Sequence, residues 1–271
     1  MNRGLMLKAA FEIWPATLLC GALLFGVEAA LAYVLPTFEA QLSEAVRQID
    51  FLKTFIGVML GVNVSGPLGP EAVMAYCWVH PVVLALVWAH ALVCCTRTPA
   101  GEIDRGTADV TFTLCVTRWE ILRSETAVWL VAGVVVLAMT LLGNIVGGWY
   151  AAADPRDDWA RTLIVLANLL CIYLTVGGFT WLVSAFCDRR GSAITITFVA
   201  LLASFLLNFL AQFWTLAERI SFLGLLNYFR PLFIFRDGIV PWRDMGILLA
   251  AAVALWIAAG IVFNRRDVCT T

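Results

Sequence analysis

Charge is scarce in this chain. Asp, Glu, Lys and Arg supply 14% of its 271 residues against 62% hydrophobic ones, and the mean hydropathy is +0.89. Such a balance excludes a water-soluble core and describes a polytopic membrane protein. No basic run exceeds Arg189-Arg190 or Arg265-Arg266, and the net charge is -1. A nucleic-acid partner or a polybasic lipid patch is therefore not expected. The eight cysteines include no CxxC pair, which argues against a zinc site or a disulfide framework. The two histidines form no H-E-x-x-H helix, and no Ser/His or Cys/His constellation shares a depth, so an intramembrane enzyme lacks its parts. A G-x-x-x-x-G-K-[ST] phosphate loop is also missing. We expect no catalytic, cofactor or metal residue in this chain.

What the chain has in abundance is apolar runs of membrane length. About 20 such residues cross roughly 30 Å of hydrocarbon. Runs of that length occur at 13–35, 73–95, 127–149, 162–186, 193–217 and 245–263. Backbone groups in lipid must pair within their own segment, so each run is read as a helix. The fold expected is an all-α integral membrane protein, one transmembrane domain over 1–271 with six transmembrane helices. Ala30-Leu31-Ala32 fits a small-x-small cleavage pattern, but the preceding apolar stretch is long for a signal peptide, and we keep it as a span.

An even number of spans places both termini on one side. With that side cytoplasmic, the segments 1–12, 96–126, 187–192 and 264–271 hold ten Lys and Arg against eight outside. The bias favours cytoplasmic termini. Two external segments exceed simple connectors. In 36–72, Leu42, Val46, Ile49 and Phe55-Ile56 fall near helical spacing opposite Glu39, Glu44, Arg47 and Asp50, the pattern of a helix lying on the membrane surface or against the other spans. In 218–243 the apolar pieces are too short to cross, which suggests re-entrant or interfacial helices before helix six.

The loop 96–126 is the densest charged stretch. Thr98-Pro99 reads as a cap and first helical residue, with Glu102 and Asp104 toward the positive end of the helix dipole. A helix from there to about Leu114 would share Ile103, Thr107, Val110 and Leu114 on one face and Glu102, Arg105 and Asp109 on another. Thr117-Arg118-Trp119-Glu120 has the form of a capping box, which would start the third span.

Gly101-Glu102-x-x-Arg105-Gly106-Thr107-x-Asp109, followed by Val116-Thr117-Arg118, resembles the cytoplasmic loop of type-2 ABC transporter permeases. That loop commonly reads GE, an acidic pair, RGT, an acidic residue, then proline, valine, serine and arginine. Cys115 stands here where proline is usual, and Ala108 where leucine is common. The layout of spans, Asn227-Tyr228-Phe229-Arg230-Pro231 before the last span and the Phe263-Asn264-Arg265-Arg266-Asp267 ending are similar as well. The resemblance implies a coupling helix between helices two and three, seated on a separate ABC ATPase subunit that binds and hydrolyses ATP. Glu102, Asp104, Arg105, Gly106, Thr107, Asp109 and Arg118 are then the coupling residues, and Met1–Phe11 an interfacial helix beside them. It further implies an exporter in the inner membrane of a prokaryote. A second copy or a sister permease would complete the pathway through the lipid bilayer.

Polar residues inside the spans are few. Glu28 is the only carboxylate deep in a span, and an intramembrane charge is a functional candidate by default. From span midpoints and about 1.5 Å rise per residue, Glu28 and His80 both fall roughly 6 Å outward of the centre, where they could pair. Asn144, Asn168 and Asn208 fall in the same outer half and mark a possible translocation path, or simply hydrogen bonds that hold the bundle. His90 reads as a packing histidine. The alternative function is a secondary transporter or channel that uses Glu28 and His80 as a proton relay.

Overall fold

The computed structural model describes residues 3–62, 68–108, 116–151, 159–211 and 213–266. These residues form helices and turns only, and six of the helical segments are long and apolar enough to cross a membrane. The first is α1 (Arg3–Thr37). Two short helices follow, α2 (Glu39–Gln48) and α3 (Asp50–Leu60). The second span is α4 (Pro70–Val79) with α5 (Pro81–Cys95), and a single helical turn, α6 (Ala100–Asp104), leads from it. The remaining spans are α7 (Arg118–Tyr150), α8 (Trp159–Phe186), α9 (Arg190–Leu210) and α12 (Trp242–Arg265). Between the last two lie α10 (Thr215–Ile220), two 3-10 turns and α11 (Pro231–Asp237).

Several boundaries differ from those expected, each for a local reason. Met1–Phe11 is not a separate interfacial helix: from Arg3 onward the chain runs straight into the first span. The second span is not continuous, because Pro81 supplies no amide hydrogen. His80 stands between the two pieces with ψ 130 and accepts the Val82 amide at 3.4 Å. The third span begins earlier, at Arg118, where the capping box is complete in both directions. The fifth stops at Leu210 instead of 217. In the 36–72 segment Val46 and Ile56 are buried as expected, but Ile49 is exposed because it is the extended link between α2 and α3. The pieces of 218–243 are short helices, α11 burying Leu232, Ile234 and Phe235 against the bundle.

A single helix face explains how α1 joins the rest. Leu5, Ala9, Ile13, Thr17, Gly21, Leu24, Glu28 and Ala32 are its buried residues, a stripe repeating every three to four positions along the length of α7. Leu7, Phe11, Trp14 and Leu18 on another face remain exposed, as expected of a surface that meets lipid. The two backbones approach most closely at Gly143 and Gly147. A Cβ on Gly143 would lie 2.3 Å from the Phe25 carbonyl oxygen, and one on Gly147 2.2 Å from that of Ala29. Small residues one turn apart let membrane helices come this near, and the spacing brings Asn144 to the level of Glu28. The five largest fully buried side chains are aromatic: Trp78, Trp181, Tyr173, Phe229 and Phe263.

Candidate functional site

Two polar regions stand at opposite ends of this bundle. At one end meet the start of α1, residues 96–107, the start of α7, the α8–α9 turn and the end of α12. Here Arg97, just beyond α5, is buried and bridges Glu12 of α1 and Glu125 of α7. Five residues on, Glu102 is only 2% exposed. Its Oε1 accepts from Lys8 at 3.1 Å and from Arg105 at 3.2 Å, while its Oε2 accepts from the Thr107 hydroxyl at 2.6 Å. Burial alone would raise the Glu102 pKa. The bonds from Thr107 and Lys8, with the charges of Lys8 and Arg105, outweigh it and hold the carboxyl below its ordinary value.

The turn that these bonds secure is shorter than the sequence suggests. Pro99, not Thr98, occupies the cap position, and no side chain caps the helix. The turn stops at Asp104, and Gly106 then takes φ +68. L side chains rarely adopt that conformation, so the glycine ends the helix and turns the chain back to let Thr107 reach Glu102. The helix expected to run on to Leu114 is therefore interrupted; Asp109, Val110, Leu114 and Cys115 lie outside the described residues. α6 rests on α8 and α9. The Ala100 amide donates to the Ser184 hydroxyl at 3.3 Å, that hydroxyl donates to the Thr98 carbonyl at 3.4 Å, and Gly101 packs against the Arg190 side chain. Asp104, Arg105, Gly106 and Thr107 stand exposed at the tip.

Arg118 reaches the end of α12. It donates to the carbonyls of Phe263, at 2.7 Å, and Arg266, and its guanidinium covers the Phe263 ring. Arg266 in turn donates to the Ala185 and Cys187 carbonyls at 2.9 and 3.0 Å and pairs with Asp188. Arg118 thus fastens the start of α7 to the end of α12.

Among the in-span candidates, one pair is joined directly. Glu28 is fully buried and accepts from Asn144 Nδ2 at 3.1 Å. No hydrogen bond or ion pair joins it to His80, whose ring meets the edge of Tyr76 at 5.6 Å. The break at Pro81 has made His80 a helix cap. Asn208 donates to the Ser204 carbonyl at 3.1 Å, and the buried amide of Asn168 has no hydrogen-bond partner among the described residues. His90 is a core histidine, bonded at 3.1 Å to the Thr17 hydroxyl and at 3.0 Å to Tyr173. Beyond Glu28 and Asn144, toward the end away from Arg97, opens a cavity of about 700 Å³. No three His, Cys, Asp or Glu side chains gather into a metal-binding group among the described residues.

Nothing local in the sequence marks Glu12, Arg97 and Glu125 as a group. Each stands singly at the edge of an apolar run, and only the fold brings the three segments together.

The segment from just before α4 to the end of the chain, residues 69–269, matches one family model, DUF2705, described as a protein of unknown function. The chain belongs to the DUF2705 family. The match takes in the second to sixth spans of this DUF2705 protein together with the loop that carries α6, and leaves α1 outside. No curated protein and no solved structure matches it.

Proposed function

We propose that this multi-pass protein is the permease subunit of an ABC transporter, driven by ATP that a separate ATPase subunit binds and hydrolyses. The observation that carries the reading is the mounting of α6. A short helix presents an exposed tip at Asp104–Thr107, while the residues just before it are fixed to α1 and α7 through Arg97 and to α8 through Ser184. A push on such a tip reaches three spans through buried contacts instead of being absorbed by a slack loop. The resemblance of Gly101–Asp109 and Val116–Arg118 to the type-2 permease loop points the same way, and its family context suggests export.

In this reading the end that bears α6 and both termini faces the cytoplasm of a prokaryote, and ATP stays on the partner. A second copy of the chain or a sister permease completes the transporter. The test is purification of the tagged chain from its native host beside an Asp104→Lys/Arg105→Glu variant. The expected result is an ATPase subunit and ATP hydrolysis with the wild type, both reduced in the variant. Well-folded wild type that carries no ATPase would refute the reading.

A further inference from the structure

The cavity beyond Glu28 has a floor and walls of different chemistry. Its volume of about 700 Å³ falls in the range of small-molecule sites. Ala32 and Gly148 line it, and each lies one helical turn from a member of the Glu28–Asn144 pair, so that pair forms the inner end. Asn144 itself is part of the lining. The walls are apolar and aromatic, with Met74, Trp78, Trp149, Trp159 and Phe235 among them. Glu39 is the only charged side chain among the described lining residues, and no basic one joins it. Arg161, next to the lining residue Thr162, donates to the Phe235 carbonyl at 2.6 Å.

The hydrogen bond behind the floor decides what the floor offers. Glu28 Oε2 accepts from the amide nitrogen of Asn144, which leaves Asn144 Oδ1 without a bond to Glu28 and able to accept from a ligand in the cavity. Glu28 Oε1 stays buried with no partner behind it. An acceptor backed by a buried Glu and framed by aromatic rings, in a cavity whose described lining carries one acidic and no basic side chain, suits a cationic donor with an apolar body.

We propose that this cavity binds a small lipophilic amine, its ammonium group on Asn144 Oδ1 and its apolar part among Met74, Trp78 and Phe235. Glu28 acts as a positioning residue that sets the Asn144 amide. The site is independent of whether an ATPase drives the protein, so its test needs none.

The test is equilibrium dialysis with protein in phosphatidylcholine nanodiscs, using 4-phenylbutylamine and its neutral counterpart 4-phenylbutyl methyl ether. The amine is expected to bind saturably and about tenfold more tightly than the ether, as one charge-assisted hydrogen bond provides. Glu28→Gln can either accept from or donate to Asn144, so Asn144 Oδ1 is no longer held as the acceptor in one orientation; it should reduce the amine preference while ether binding is retained. A Cβ at Gly148 meets nothing within 4 Å and Gly148 lines the cavity, so Gly148→Leu should fold, project into the cavity and weaken binding of both. Should Glu28→Gln fail to fold, Asn144→Ala carries the same comparison. Absence of saturable amine binding to wild type, an amine preference undiminished by loss of the fixed acceptor, or unimpaired binding in Gly148→Leu would overturn the proposal.

Discussion

Arg97 and Glu125 form a buried ion pair that joins the end of the second span to the start of the third, with Glu12 of the first span on the other side of the guanidinium. Both partners are nearly inaccessible, so the pair's importance lies less in its net attraction than in what remains when one member is removed.

Removal of Arg97 alone should accordingly be severe. Arg97→Met leaves Glu125 buried without its cation and is expected to cost about 3–5 kcal/mol. Arg97→Met/Glu125→Met, which removes both buried charges, should recover part of that loss. Thermal unfolding of the two variants in one detergent checks the order, and equal destabilisation would contradict it.

The α1–α7 contact predicts a position-specific response to added bulk. Gly147→Val places side-chain atoms against the Ala29 backbone and should destabilise by about 1–3 kcal/mol. Gly148→Ala, one residue on, meets open space and should be nearly neutral. Comparison of monodisperse yield and melting temperature distinguishes them.

The Glu102 carboxyl gives the charged end a definite pH dependence. Its pKa in the folded state is lowered, chiefly because bonds from Thr107 and Lys8 overcome the opposing effect of burial. The unfolded chain therefore binds that proton more readily, and the stabilisation is complete above the ordinary glutamate value of about 4.3. It is lost as pH falls through the lower folded value. Unfolding monitored from pH 6 downward should show less acid sensitivity in Glu102→Gln than in wild type, at the cost of lower stability near neutrality.

The capping box can be tested at its threonine. Thr117→Ala removes the hydroxyl that accepts the Glu120 amide and should weaken the start of α7 by about 0.5–2 kcal/mol. Hydrogen exchange confined to the first turn of α7 is the expected signature.

The spans were legible in the sequence because each is a local property: about twenty apolar residues and a lipid thickness suffice. The capping box was legible for the same reason, since Thr117 and Glu120 are three residues apart. The 33-residue extent of the third helix was less so, because a polar first turn does not register as span. Pro81 was visible, yet its effect on His80 depends on whether neighbouring helices keep the chain straight. Gly106 could have signalled the end of α6, but helix periodicity in the residues beyond it argued for continuation. The Arg97 cluster was beyond reach: Glu12, Arg97 and Glu125 are far apart in sequence, and their meeting depends on how three helices pack. Glu28 was found as an isolated intramembrane charge, whereas Asn144 emerged as its partner only once Gly143 and Gly147 had fixed the register of α7 against α1.

The most direct test of the central claim asks what touches the tip of α6. A photoreactive phenylalanine analogue placed at Asp104 should crosslink, in native membranes, to a chain that carries a nucleotide phosphate-binding loop. The same probe at Ile239, exposed near the opposite end of the bundle, should not. Identification of that ATPase from position 104 alone is the predicted result. A protein that folds and inserts normally, yet yields no ATPase crosslink at 104, would contradict the account.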